Sequence, residues 1–278
     1  FHPGEEANDN EFAAALASLA DCYVNDAFGA AHRAHASTVG IVRHLNDAAA
    51  GLLMSKELSH LGSLLDSPPR PFAAVLGGAK ASGKLEVIEN LFGKVDTLLI
   101  GGAMAYTFFK SQGIQVGRSL VEDSLIDTVN AIARNADAQG VRLELPTDHV
   151  VTDRLETGAT THIIDVRDPS IGQRLGVDIG PATISRYASA LTRARTIVWN
   201  GPMGVFEIDA FAAGTIAIAK TIAASEATSI VGGGDSVAAI GRAGVTDGIT
   251  HISTGGGASL EFLGGRRLPG LDALPDGA

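Results

Sequence analysis

The chain has 278 residues, 45% hydrophobic and 19% charged, which is enough to bury one large core or two smaller ones. Its 31 acids against 21 lysines and arginines leave a formal charge of −10. That balance excludes a general binder of nucleic acid or anionic membrane, since both need a basic face to meet phosphate, though a local basic pocket is compatible with it. Cys22 is the one cysteine, so no intrachain disulfide forms and a reducing compartment is expected. No apolar run approaches the roughly 20 residues that span a bilayer, and no charged-then-apolar signal segment opens the chain. A soluble, cytoplasmic protein is the expectation. The chain opens Phe1-His2-Pro3 without an initiator methionine, which reads as processing or as part of something longer.

In chain order, Glu11 to Ala20 reads as a short alanine-rich helix and Tyr23-Val24 as a brief strand before Asn25-Asp26-Ala27-Phe28-Gly29. Leu45 to Leu65 reads as a long helix, closed by Ser67-Pro68-Pro69-Arg70-Pro71. A boundary near residue 68 follows. From about residue 71, short apolar runs alternate with amphipathic stretches, the mark of βα units on a parallel sheet. Phe72–Leu76 ends in Gly77-Gly78, Val95–Ile100 in Gly101-Gly102, and Thr196–Trp199 in Asn200-Gly201-Pro202. Ser229–Val231 ends in Gly232-Gly233-Gly234-Asp235, and Thr250–Ser253 in Thr254-Gly255-Gly256-Gly257. Val141–Leu145 reads as a further strand, while Leu120–Ala138 and Ala210–Ala224 carry apolar residues at helical spacing.

Ligands of open parallel sheets bind outside the carboxyl ends of the strands. Glycine there lets backbone N–H groups approach an anion, and the next helix adds its positive end. One such loop is explained by a tight turn; several on one sheet edge predict a phosphate or nucleotide site. Gly78-Ala79-Lys80-Ala81-Ser82-Gly83-Lys84 satisfies most of the P-loop pattern, but Leu85 follows, with no hydroxyl for Mg²⁺. Lys80 and Lys84 lie four apart, so a helix would point both at one phosphate. Asp235 caps a helix or holds the Mg²⁺ of a nucleotide, and Glu207 is placed for a ribose hydroxyl. The dinucleotide pattern is absent from Gly232–Gly234, since Val237 stands at its third glycine. His32 and His35 read as structural, with Arg33 free to fork onto a phosphate or carboxylate. Cys22 reads as a small buried apolar residue.

Taken together, these motifs resemble those of the phosphoglycerate kinase family, in its order and along the whole chain. They are Tyr23–Gly29 with Ala31–His35, Leu76–Lys80, Trp199–Glu207, Gly232–Ser236 and His251–Glu261. The resemblance implies two Rossmann-like three-layer α/β domains that close like a hinge, and a reversible phosphoryl transfer between 1,3-bisphosphoglycerate and ADP, giving 3-phosphoglycerate and Mg·ATP. It also implies a monomer with no nucleic-acid or membrane partner. On matching positions it implies that Lys84 contacts the nucleotide phosphates, Lys80 follows the transferring group and Asn200 faces the phosphates. Glu207 would bind ribose, Gly176 and Val177 flank adenine, Gly233, Gly234 and Ser236 hold phosphate, and Asp235 hold Mg²⁺. Gly255, Gly256 and Gly257 would aim a helix N-terminus at the transferring group, and Arg33 would meet the acid substrate.

The implied layout is a partial substrate domain over 1–48, a connecting helix and linker over 49–69, a complete parallel-sheet nucleotide domain over 70–258 and a C-terminal segment over 259–278. Two departures stand out. Gly83 replaces the aspartate the family usually places between the two lysines, which should loosen the helix start. The family's N-terminal quarter, with several substrate arginines, has no counterpart, so an incomplete, weakly active form is expected. Competing readings are a nucleotide-binding protein without transferase activity and a P-loop NTPase built on Gly78–Lys84.

Overall fold

The computed structural model describes residues 2–275. Its contacts divide the chain into two compact units, Phe1–Asp66 with Ser253–Ala278, and Ser67–Ile252.

In the first unit, β1 (Cys22–Asn25) pairs in parallel with β2 (Asp47–Ala50), Cys22 opposite Asp47 and Asn25 opposite Ala50. The single long helix expected over 45–65 is therefore a strand and then a helix, Leu52–Asp66. Asp47-Ala48-Ala49-Ala50 has no strong strand composition, so tertiary pairing overrides local preference here. Gly51 makes the break: its N–H donates to the Asn25 carbonyl at 2.8 Å, and a Cβ on it would run into the Asp26 carboxylate. That carboxylate accepts the Met54 N–H at 2.8 Å, so the helix is started by a residue far back in the chain. Cys22 is exposed, not buried as expected, because neither face of this two-stranded sheet is fully covered.

The chain's last segment also differs from the expected layout. Residues 253–258, expected with the nucleotide domain, group with the first unit, as does the segment after them. Glu57 accepts both the N–H and the hydroxyl of Thr254, at 2.6 and 2.8 Å. Further on, Asn25 donates to the Gly270 carbonyl at 3.0 Å, while the Gly270 N–H donates to Ala31 at 2.9 Å. Helix Leu52–Asp66 likewise belongs to this unit, so it is not a free connector.

The second unit is built on a six-stranded parallel sheet. Its strands are β3 (Phe72–Leu76), β4 (Thr97–Ile100) and β5 (Arg142–Glu144), then β9 (Thr196–Asn200), β10 (Thr228–Gly232) and β11 (His251–Ile252). The order across the sheet is β11-β10-β9-β3-β4-β5. β3, β9 and most of β4 and β10 are buried, which suits a sheet covered on both faces by helices. Trp199, Tyr187, Val75, Leu99 and Ile218 form its core; the Trp199 indole N–H donates to the Gly201 carbonyl at 2.8 Å, so even the largest core side chain is tied to a loop.

A second sheet has no counterpart in the sequence reading. β6 (Asp148–Thr152) lies between β7 (Thr161–Asp165) and β8 (Leu175–Ile179), antiparallel to both, with a bulge at Val150/Val151. β7 is mostly exposed and β8 contains glycine, so neither gives the clean alternation that marks a strand. The helix expected over 120–138 begins at Ile126, after a turn at Asp123–Leu125, and helix Met104–Ser111 is additional. Among the described residues no helix is long and apolar enough to cross a membrane.

Candidate functional site

From β3 the chain winds outward through β4 and β5, then returns to the other side of β3 with β9. The crevice at the carboxyl ends of β3 and β9 is thus the topological switch point, where such sheets bind ligands. The loops there interlock through backbone. Gly77 N–H donates to Asn200 at 3.0 Å, Gly78 N–H to Pro202 at 2.8 Å and Gly102 N–H to Met203 at 3.0 Å. A Cβ on Gly77 or Gly201 would collide with the other's loop, and Gly201 has φ +92°. Glycine is needed here because two backbones meet without room for side chains.

Behind this edge lies a cavity of about 260 Å³. Ala105, Tyr106 and Phe109 of helix Met104–Ser111 form one wall, and Gly176, Val177 and Asp178 of β8 another. Gly78, Pro202, Glu207 and Asp235 complete the rim. The cavity thus gathers four residues anticipated from sequence: Gly176, Val177, Glu207 and Asp235.

Sequence reasoning missed three polar groups in this wall. Tyr106 hydroxyl lies 2.8 Å from Nδ1 of buried His149, whose Nε2 has no hydrogen-bond partner among the described residues. Burial pushes the His149 pKa down to about 4, against the opposing charges of Asp148, Asp165 and Asp168. Asp178 is buried and accepts N–H groups of Gly214 at 2.6 Å and Ile179 at 2.9 Å. Burial raises its pKa to about 7 in spite of those bonds. No motif marks these residues; only the second sheet and helix Met104–Ser111 bring them together.

Lys80 and Lys84 do not share a helix face as expected. Helix Leu85–Leu91 begins after Lys84, which closes a turn over Ser82–Lys84 with its N–H donating to the Ala81 carbonyl at 2.8 Å, and Lys80 precedes that turn. Lys84 is half-buried against Gly78; a Cβ built on Gly78 would lie 3.4 Å from Nζ. Burial lowers the Lys84 pKa, while the charge of Asp235 raises it. Lys80 is exposed, and Gly83 has open space where a side chain would stand.

Asn200 and Ser236 are buried and engaged with backbone. Asn200 Nδ2 donates to Gly232 at 3.0 Å, and the Ser236 hydroxyl accepts the Gly201 N–H at 2.6 Å. They fix the loops that carry Gly233, at φ +91°, and Gly234, which opens helix Gly234–Ala243. Asp235 is exposed in that helix's first turn. Among the described residues no group of three or more His, Cys, Asp and Glu side chains is placed to hold a metal.

Gly255, Gly256, Gly257 and Arg33 belong to the first unit and are not part of the cavity lining. Helix Gly256–Leu263 starts against Phe28, whose ring leaves no room for a Cβ on Gly255. A Cβ on Gly257 would lie 3.0 Å from His32 Nε2. Arg33 is exposed.

Residues 1–266 match the family model described as phosphoglycerate kinase. A phosphoglycerate kinase of Chlorobium phaeobacteroides is 58% identical over 279 residues, which cover 99% of this chain and 70% of that protein. One of Koribacter versatilis is 56% identical over 275 residues, covering 99% of this chain and 68% of the relative. The solved phosphoglycerate kinase of Coxiella burnetii superposes with TM-score 0.91 at 44% identity, over 98% of this chain and 70% of that one. That of Pyrococcus horikoshii gives 0.82 at 38%, over 95% and 67%. These matches assign the Gly78–Lys84 loop to this context and not to a P-loop NTPase, and they lend no support to a binding protein without transferase activity. The parallel sheet, its glycine edge and the agreement along nearly the whole chain lead to one conclusion: the chain belongs to the phosphoglycerate kinase family, a family of phosphotransferases.

Proposed function

We propose that this chain catalyses reversible phosphoryl transfer between 1,3-bisphosphoglycerate and ADP, giving 3-phosphoglycerate and ATP. The observation that carries the reading is the cavity at the switch point, with Gly176, Val177, Glu207 and Asp235 on its wall, in a chain matched to the family over 1–266. Adenine would lie against Gly176 and Val177, the apolar side of the cavity, and Glu207 would accept a ribose hydroxyl. Lys84 would meet the phosphates, and its partial burial strengthens that charge interaction. Lys80, on the exposed loop before it, would follow the transferring group.

Asn200 and Ser236 act by fixing the loops, so that backbone N–H groups of Gly233 and Gly234 meet phosphate at a helix N-terminus. Asp235 fits Mg²⁺, which takes one or two carboxylates and completes its shell with phosphate oxygens and water. When bound, the ion would neutralise charge on the nucleotide phosphates. Arg33 would bind the acid substrate, and Gly255 to Gly257 would turn a helix N-terminus toward the transferring group. The substrate unit would be Phe1–Asp66 with Ser253–Ala278, the nucleotide unit Ser67–Ile252. A cytoplasmic monomer completes the proposal.

The test is ATP consumption dependent on 3-phosphoglycerate, measured in a coupled assay on this chain and on Lys80→Ala. Turnover lost in the variant supports the reading; Mg·ADP binding with no turnover at any enzyme concentration would favour a nucleotide-binding protein without transferase activity.

A further inference from the structure

Glu122 lies outside every motif in the sequence, yet one of its carboxylate oxygens accepts two consecutive backbone N–H groups, from Ala81 at 2.5 Å and Ser82 at 3.2 Å. These two residues lie between Lys80 and Lys84, at the start of the turn that the Lys84 N–H closes onto the Ala81 carbonyl at 2.8 Å. The Glu122 N–H in turn donates to Thr107 Oγ1 at 3.2 Å, on the helix that carries Tyr106 and Phe109. Three residues earlier, Ser119 Oγ accepts the Gly176 N–H at 2.9 Å, on the opposite wall of the cavity. One short segment therefore ties together both cavity walls and the lysine loop. Burial opposes ionisation of Glu122, but the bonds from Ser82 and Ala81 and the charge of Lys80 outweigh it and hold its pKa below the usual carboxylate value. It is thus an anion at neutral pH, and anionic acceptors make the stronger hydrogen bonds.

We propose that Glu122 is the positioning residue for the nucleotide phosphates: it clamps the loop 80–84 so that its two lysines are held ready for the phosphate chain. The inference rests on the nucleotide reading above. Its physical reason is the loop's own looseness. Gly83 has empty space around it and no side chain, so the turn carries a large conformational entropy that something else must restrain. Among the described residues no side-chain bond caps helix Leu85–Leu91 at Lys84. The clamp takes over that restraint from one residue outside the loop. Glu122 itself touches no phosphate in this scheme; it acts through Lys80 and Lys84.

The experiment is titration calorimetry of the full chain with Mg·ADP, with thermal melting and amide exchange on the same samples. The unaltered chain should bind. Glu122→Ala should raise the Kd about tenfold, a loss of preorganisation, while Tm moves little. The Ala81 and Ser82 amides should exchange faster. Glu122→Gln, which keeps an acceptor oxygen but loses the charge, should weaken binding less than Glu122→Ala does. Adding Gly83→Ala to Glu122→Ala should recover part of the loss by stiffening the loop. Should the alanine variant not fold, Glu122→Asp, which keeps the charge but withdraws it by one methylene, reads the same weakening. An unchanged Kd in the alanine or aspartate variant, with the unaltered chain binding, overturns the clamp alone. No binding by the unaltered chain overturns the nucleotide reading and the clamp with it.

Discussion

The hydroxyl of Tyr106 occupies the place where a side chain on Gly176 would begin, and the same hydroxyl lies 2.8 Å from Nδ1 of His149. Gly176 is therefore glycine because an aromatic residue from another element closes over it, and the cavity wall depends on that fit. Gly176→Ala should displace Tyr106, break its bond to His149 and destabilise the chain by about 1–3 kcal/mol through overpacking. It should also weaken Mg·ADP binding. Denaturant unfolding and calorimetry on the one variant check both; a stability unchanged from the parent would mean Tyr106 moves aside without cost.

Two buried groups in that wall give stability opposite dependences on pH. The folded pKa of Asp178, about 7, lies above its ordinary 3.8, so its contribution is complete below about 3.8 and lost as pH rises through 7. The folded pKa of His149, about 4, lies below its ordinary 6.5, so its contribution is complete above 6.5 and lost as pH falls toward 4. Between those limits the two slopes oppose. Unfolding free energy measured from pH 4 to 6.5 should rise more steeply with pH in Asp178→Asn and less steeply in His149→Phe. Identical slopes in parent and variants would remove both residues from the linkage.

Lys84 sits half-buried beside Gly78 with the charge of Asp235 acting on it. Lys84→Ala should cost about 1.5–3 kcal/mol of nucleotide binding, the worth of a charge-assisted hydrogen bond. Calorimetry with Mg·ADP measures it, and an unchanged affinity would make Lys84 an ordinary surface residue.

The paired strands β1 and β2 should be the least protected sheet in the chain. Leu19, Val24 and Leu52 beside them are 80%, 59% and 89% exposed, and the ladder has only four residue pairs. Two strands without a buried face are marginal in water. Hydrogen exchange should find their amides at least a hundredfold faster than those of β3 and β9, both wholly buried. Equal protection in the two sheets would show that the exposed apolar residues are covered in solution, by self-association or otherwise.

The sequence by itself determined the parallel sheet and its glycine edge, because apolar runs ending in adjacent glycines are local signals and each strand of that kind announces its own end. It also determined family membership and the position of Asp235 and Glu207 at that edge, since both follow directly from the loops that carry them. Tertiary structure alone decided the rest. Residues 47–50 are a strand because 22–25 lie beside them, and the helix after them starts where Asp26 can accept the Met54 N–H. The second sheet, with Gly176, Asp178 and His149, exists through antiparallel pairing between segments that lack strand periodicity. Lys80 and Lys84 lie ahead of helix Leu85–Leu91 and not on it, in a loop whose Ala81 and Ser82 amides donate to Glu122, some forty residues on. Local composition fixes what a segment does with its neighbours in sequence; contacts between distant segments have no local signature, and the polar wall of this site is made of them.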